Sequence, residues 1–448
     1  MARFTGAAAA MLLLLLFAPR AAHANGRFPA ASQLVVFPES SEHAPGETFV
    51  LRTTFGILFS VDGGKNWDWV CERSVGFVGT EDPALGVLGG KTVLAGTFEG
   101  LSVTRDLGCT WSFAGGELTS QVAVDVTGRP GSTASAIALT STYLRDDGGI
   151  SNYANLLFAT TDEGATWHRL GTSLPAYAVG ETVDTAASDA ARIYVSAYQV
   201  VGGRKEGLFY TSKDNGQSFT ENVIELTPDE GAPFIAAVDP TNAERVYVRT
   251  TGETASRLLV TDDAGHTFRE IFAGPPLLGF ALSADGSKVW VGSSDGLYMA
   301  SRQALTFVKR SSVAVQCLTF AAATLYACSS ESSGFIVGAS TDDGATFAPR
   351  LHLSTVRGPL ACPADTPTAT CNLEWPATRD QLGIALDAGA DGGQPGAPAS
   401  GDGGGGCSMS PNIRSIGAFF SILGAAVAAA AARRFAPHRN SRAKGRRS

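Results

Sequence analysis

Ser60-Val-Asp62-Gly-Gly64-Lys-Asn66-Trp67 is the stretch that decides the fold, because it recurs. Its pattern is Ser/Thr-x-Asp-x-Gly-x-Ser/Thr/Asn-aromatic. Thr104-Arg-Asp106-Leu-Gly-Cys-Thr-Trp111 and Thr160-Thr-Asp162-Glu-Gly-Ala-Thr-Trp167 repeat it. So do Ser212 to Phe219 around Asp214, Thr261 to Phe268 around Asp263, and Ser340 to Phe347 around Asp342. A seventh copy, Ala300 to Phe307, keeps Thr306 and Phe307 but carries Arg302 and Ala304 where the acid and the glycine belong. The chemistry of the stretch is that of a tight reversal. The Asp accepts hydrogen bonds from turn N–H groups, and the Gly supplies a positive φ. The hydroxyl ties the turn together, and the aromatic restarts the next strand. These Asp residues therefore read as structural.

The aromatics at 67, 111, 167, 219, 268, 307 and 347 are spaced by 44, 56, 52, 49, 39 and 40 residues. A repeat of this length built from short strands marks a propeller blade. An apolar strand precedes each copy, as in Gly56-Ile-Leu-Phe and Gly207-Leu-Phe-Tyr. Farther upstream lies a second strand: Phe49-Val-Leu-Arg, Val93-Leu-Ala-Gly, Ile193-Tyr-Val-Ser, Val246-Tyr-Val-Arg, Val289-Trp-Val-Gly or Leu325-Tyr-Ala-Cys. With an inner strand before it and an outer strand after the aromatic, the count is seven blades of four antiparallel strands. The expected fold class is all-β, a seven-bladed β-propeller over 25–356. Leu34 to Phe37 is expected to join the strands around Phe347 and fasten the ring, or else to be the first inner strand of blade one.

The repeated stretch resembles the Asp box (BNR repeat) of sialidases, sortilin-type receptors, xyloglucan-degrading endoglucanases and a photosystem assembly factor. The resemblance covers roughly 34–356 and implies a propeller. It implies little about function, because those families share the box and little else.

The two ends point to export. Arg3, the apolar run Ala7 to Phe17 and Ala22-His-Ala24 form a secretory signal over 1–24. After the propeller, 357–386 reads as a cysteine-bounded cap on the last blade, and 387–406 as a Gly/Ala/Pro-rich linker. The segment 407–448 joins a cysteine motif at Cys407, an apolar run of 17 residues from Ile416 to Ala432, and a basic tail. At 1.5 Å per residue that run reaches about 26 Å as a helix, just enough to span a bilayer. The segment resembles the myxobacterial C-terminal sorting signal, which implies that the helix is removed and Cys407 becomes the lipid-anchored end. A retained single-pass anchor is the alternative. Either way the propeller is expected at the cell surface.

Residues 25–406 hold 24 basic against 42 acidic residues, a balance of −18. Such a domain repels nucleic acid, which excludes nucleic-acid binding. Six cysteines besides Cys407 suit disulfides in an exported protein. The expected pairs are Cys71–Cys109 between neighbouring blades, Cys317–Cys328 on consecutive strands and Cys362–Cys371 across one loop. There is no Cys-x-x-Cys and the histidines are scattered, so no metal or cofactor is expected.

In a four-stranded meander, ligand sites belong on the face opposite the boxes. Three stretches lie there. Glu72 to Leu85 carries Glu72, Glu81 and Asp82. Tyr143 to Asn155 carries Arg145, Asp146, Asp147 and Tyr153. Val200 to Gly207 carries Arg204, Lys205 and Glu206. Loops on rigid scaffolds often bind ligands, so Glu81, Arg145, Asp146, Tyr153 and Arg204 are the candidate binding residues. The leading reading is a non-catalytic surface module for a protein or a glycan, including a scaffold for envelope assembly. The alternative is a glycosidase with Glu72, Asp82 and Asp147 as candidate carboxylates. The sialidase resemblance implies a Phe/Tyr-Arg-Ile-Pro segment that this chain lacks; Gly26-Arg27-Phe28-Pro29 only echoes it.

Overall fold

A computed structural model describes residues 27–39, 44–148, 150–252 and 254–385. The signal, linker, Cys407 and tail readings fall outside the described residues. Among those described, no helix is long and apolar enough to cross a membrane.

The chain forms seven sheets in sequence order, each with four consecutive antiparallel strands. Blade one comprises Ala31–Val36, Phe49–Thr53, Gly56–Ser60 and Trp67–Val70. Blades two to seven occupy 84–113, 123–174, 179–224, 230–274, 277–311 and 317–351. Apart from the hairpin ends of blades three and four, second and third strands are mostly buried, as in Gly56–Ser60, because they are covered by a neighbouring blade on each side. The cores accordingly lie between blades, for instance Tyr194, Phe209, Val246 and Val248 between blades four and five.

Six repeated turns share one hydrogen-bond set. In the first, Ser60 Oγ donates to Asp62 Oδ1 (2.9 Å), which also accepts the Asn66 N–H (3.0 Å). Asn66 Nδ2 donates to Asp62 Oδ2 (2.6 Å), and the Gly64 N–H donates to Ser60 Oγ (3.0 Å). The same bonds recur around Asp106, Asp162, Asp214, Asp263 and Asp342. Hydrogen bonds from Thr166, Ser218, Thr267 and Thr346 hold Asp162, Asp214, Asp263 and Asp342 down at about 2. Gly64 (φ 79°) and its five counterparts sit in the left-handed region the reversal needs. The Ala300–Phe307 copy is held differently: Leu305 N–H bonds to Ser301 O, and Arg302 turns outward to the neighbouring blade.

Of the two placements expected for Leu34 to Phe37, the inner strand of blade one is the one observed. Leu34 to Val36 pair with Phe49 to Leu51, so this segment is the inner strand of blade one and not part of the Phe347 blade. Blade seven needs no added strand, since 317–351 supplies all four. Closure instead uses side chains: Thr319 Oγ1 donates to Leu34 O (2.6 Å) and Trp67 Nε1 to Arg350 O (3.2 Å). The chain then returns to blade one, where Val356–Pro359 adds a fifth strand parallel to Trp67–Val70.

That return also corrects two disulfides and the position of the cap. The bonds are Cys71–Cys371, Cys109–Cys362 and Cys317–Cys328. Cys71 and Cys109 do not join each other, nor do Cys362 and Cys371. The fifth strand carries Cys362 past the Cys109 turn, and the 3-10 helix Pro367–Leu373 delivers Cys371 to Cys71. The 357–385 segment therefore covers blades one and two, not the last blade. Thr368 Oγ1 donates to Gly108 O (2.6 Å), and Trp375 packs on Trp69 at 5.6 Å between centroids.

Candidate functional site

The face opposite the repeated turns is organised by blades three and four. Their second and third strands are long: Ala136–Asp147 with Ile150–Thr160, and Ile193–Val201 with Arg204–Ser212. Corresponding strands in the other blades have four to seven residues. The two hairpins therefore project beyond the sheets. They expose Tyr143, Leu144, Val200 and Val201, each about half accessible.

These hairpins carry several of the sequence-predicted residues. Tyr143 and Tyr153 meet edge to face at 5.7 Å. Asp146 accepts the Ser151 hydroxyl (2.7 Å), and Asp147 is exposed near the tip. Arg145 and Arg204 are exposed and form no ion pair among the described residues. Lys205 Nζ lies 4.3 Å from the centre of the Tyr198 ring. Glu206 accepts the Gln199 amide (2.6 Å).

The remaining candidates lie elsewhere. Asp82 is chelated by Arg27 (2.9 and 2.8 Å). Glu81 is buried and accepts the Phe98 N–H (2.5 Å); burial pushes its carboxyl up to about 7. Glu72 opens the one-turn helix Glu72–Val75, which packs against Pro367–Leu373. The three candidate catalytic carboxylates thus occupy three places: the cap contact, an ion pair and a hairpin tip. Among the described residues no group of His, Cys, Asp and Glu side chains is placed to hold a metal ion.

Sequence reasoning missed the central channel. The inner strands line it, and five of the seven carry a one-residue bulge, at Ser32, Val124, Glu181, Ala236 and Leu278. A cavity of about 170 Å³ between blades one, five, six and seven is lined by Ser32, Ala236, Arg249, Leu278, Phe280 and Thr319, among others. Arg249 is the ionisable side chain of its lining; Arg52, Asp125, Glu181 and Asp184 lie on other inner and second strands. Burial lowers Arg52 and brings Arg249 down to about 10. Burial also raises Asp125 and Glu181 to about 7 and Asp184 to about 6.

Most of these charges fasten blades together. Asp125 accepts the N–H of Val126 and of Val183 in the next blade (2.9 and 2.8 Å). Asp184 does the same with Thr185 and Val238 (2.7 and 3.2 Å). Arg52 donates to Ser32 Oγ and to the carbonyls of Asp82 and Pro83. One sequence signal pointed here: Arg52 and Arg249 each end a second-strand motif at a position where the other motifs carry Gly, Ser or Cys.

Comparison with solved structures returns β-propellers. An ancestral GH74 enzyme aligns with TM-score 0.51 and 12% identity over 68% of this chain and 44% of its own. YCF48 bound to D1 peptide aligns with TM-score 0.43 and 13% identity, over 67% of this chain and 89% of that one. YCF48 from Cyanidioschyzon merolae gives 0.47 and 12%, over 67% and 93%. At such identities the likeness shows the fold alone, and the chain spans under half the length of the GH74 enzyme. No family model and no curated protein matches the sequence.

Proposed function

We propose that this protein is an exported, surface-anchored propeller whose repeated turns are Asp boxes and whose opposite face holds a protein or a glycan without chemistry. The observation that carries the reading is the raised pair of hairpins on blades three and four. They hold aromatic and aliphatic side chains in solvent on a rigid scaffold, beside Arg145 and Arg204, which form no ion pair among the described residues. Three disulfides suit an oxidising compartment. The 1–24 signal, the 387–406 linker and the Cys407 segment, processed or retained, provide export and attachment in this reading.

The test is retention of the purified protein on glycan arrays and on immobilised envelope extracts. Binding that is lost in Tyr143→Ser with Val200→Ser supports the rim. Binding unchanged in that double variant defeats it.

A second reading, a glycoside hydrolase, is favoured by one feature: Glu181, half-buried on the inner strand of blade four, has its carboxyl raised by burial to about 7, the range a general acid needs. Release of reducing sugar from sialosides or β-glucans, abolished in Glu181→Gln, would replace the binding reading.

A further inference from the structure

We infer that the boundary of blades five and six carries a separate binding pocket, on the face of the repeated turns, built for a tetrahedral oxyanion: the phosphate or sulfate group of a small saccharide, or the free ion. A cavity of about 370 Å³ opens there, lined by Thr241, Asn242, Arg245, Arg269, Arg302 and Gln303. Three of the six are arginines, and none is acidic or apolar. That lining runs against the strongly acidic balance of the domain.

Three separate segments meet at the pocket. Thr241, Asn242 and Arg245 lie on the link between Glu230–Val238 and Val246–Gly252, the first two strands of blade five. Arg269 opens the outer strand of that blade, directly after the aromatic Phe268 of its repeated turn. Arg302 and Gln303 come from the seventh copy in blade six, where Arg302 stands in the place of the acid.

Each guanidinium is fixed by a carboxylate that does not line the pocket. Asp262 accepts Arg245 Nε (2.5 Å) and, more weakly, Arg269 (3.4 Å). Asp239 accepts Arg302 and also sets its own turn by accepting the N–H groups of Thr241 and Asn242 (2.9 and 3.1 Å). Two carboxylates thus serve three guanidinium groups, which leaves one positive charge over. The bonds to Arg269 and Arg302 use one nitrogen of each. Their other guanidinium nitrogens form no hydrogen bond among the described residues. The fold has placed these donors and left them for a ligand.

The donors decide the class of ligand. Guanidinium groups only donate, and they match phosphate and sulfate oxygens with charge-assisted bonds. A tetrahedral oxyanion presents three or more oxygens out of one plane, enough for all three arginines, whereas a carboxylate has two. A cation would be repelled. The cavity has the volume of a small-molecule site, and Thr241, Asn242 and Gln303 can bond the hydroxyls of a sugar that carries the group. The hairpin rim lies on the opposite face, so this site does not depend on it.

The experiment is calorimetric titration of the full-length chain, purified in non-ionic detergent at pH 8, with glucose 6-phosphate, glucose 6-sulfate, inorganic phosphate and glucuronate. At least one of the two esters is expected to bind at least tenfold more tightly than glucuronate. Arg269→Gln and Gln303→Glu, both at exposed side chains, are each expected to weaken that binding at least tenfold. They carry the test because Arg302→Gln also strips Asp239 and can fail to fold. Inorganic phosphate binding as tightly as the esters would assign the free ion, and weaker binding the ester. Absence of ester binding, glucuronate binding as tightly as the esters, or ester binding unchanged in Arg269→Gln or in Gln303→Glu overturns the proposal. Tyr143→Ser with Val200→Ser should leave ester binding intact, so failure of the rim and failure of the pocket are distinguishable.

Discussion

Arg302 donates to both carboxylate oxygens of Asp239 across the boundary between blades six and five (3.1 and 3.2 Å). Asp239 has no side-chain exposure, and Arg302 also reaches Thr241 Oγ1 (2.5 Å). The one turn that lost its acid has thus exchanged a local bond set for a bridge between blades. Arg302→Ala should destabilise the fold by about 2 kcal/mol, because it strips a charge-assisted bond from a buried carboxylate. Arg302→Asp restores the repeat pattern, yet it should cost more, since it sets a second carboxylate beside Asp239. Denaturant melts of the two variants check the order.

The disulfide connectivity is testable without mutation. A non-reducing digest should yield peptides joining Cys71 to Cys371 and Cys109 to Cys362. Cys109→Ser with Cys362→Ser opens a loop whose ends lie 253 residues apart in sequence. Chain-entropy arguments allow up to about 5 kcal/mol for so long a loop. The remaining Cys71–Cys371 bond already constrains the same region, so the expected loss is smaller, about 1–2 kcal/mol. Recovery of a Cys71–Cys109 peptide would reverse the assignment.

Stability should peak in mild acid. Asp125, Glu181 and Glu81 hold their protons up to about 7 when folded and release them near 4 when unfolded. Between those values the folded chain binds more protons, so raising the pH lowers its stability. The turn acids act in the opposite sense. Asp162, Asp214, Asp263 and Asp342 sit at about 2 when folded, so their contribution is present above about 4 and lost as pH falls toward 2. Scanning calorimetry from pH 2 to 9 should place the highest Tm near pH 4–5. A maximum at pH 7 or above contradicts this.

Asn155 is fully buried beneath the blade-three hairpin. Its amide donates to Pro175 O and Ala178 O (3.0 and 2.9 Å), and its oxygen accepts the Ser141 hydroxyl (2.7 Å). Asn155→Ala leaves two carbonyls and a hydroxyl short of partners and should cost about 3 kcal/mol. Asn155→Asp should be worse, since it aims a carboxylate at those carbonyls. Chemical denaturation measures both.

What the sequence disclosed follows from how local each interaction is. The turn around Asp62 is closed by Ser60, Gly64 and Asn66, all within a few residues, so its geometry is written in one short stretch. The second strands were legible for the same reason. The partners of Cys71 and Cys109 were not, because they depend on the chain returning to blade one after the seventh blade. Arg249 and Glu181 belong to neighbouring blades, and the packing of blade four on blade five, not local sequence, brings their charges near each other. The candidate carboxylates Glu72, Asp82 and Asp147 had the right residue type, but neither spacing nor composition reports a helix cap contact, an Arg27 chelate or a hairpin tip.

Every blade is one uninterrupted piece of chain, and only Val356–Pro359 crosses back to the start. Addition or loss of a blade is therefore a single in-frame event that leaves the other meanders whole. New termini cut between blades three and four, with the old ends joined, would likewise split no four-stranded unit. In a ring woven shut by a shared blade, the same edits at the seam would divide a sheet. Here the seam is closed by side chains, and the returning segment is tied by sulfur to the outside of blades one and two, so the number of blades is free to change in descent while the closing segment stays tied to whichever blade comes first.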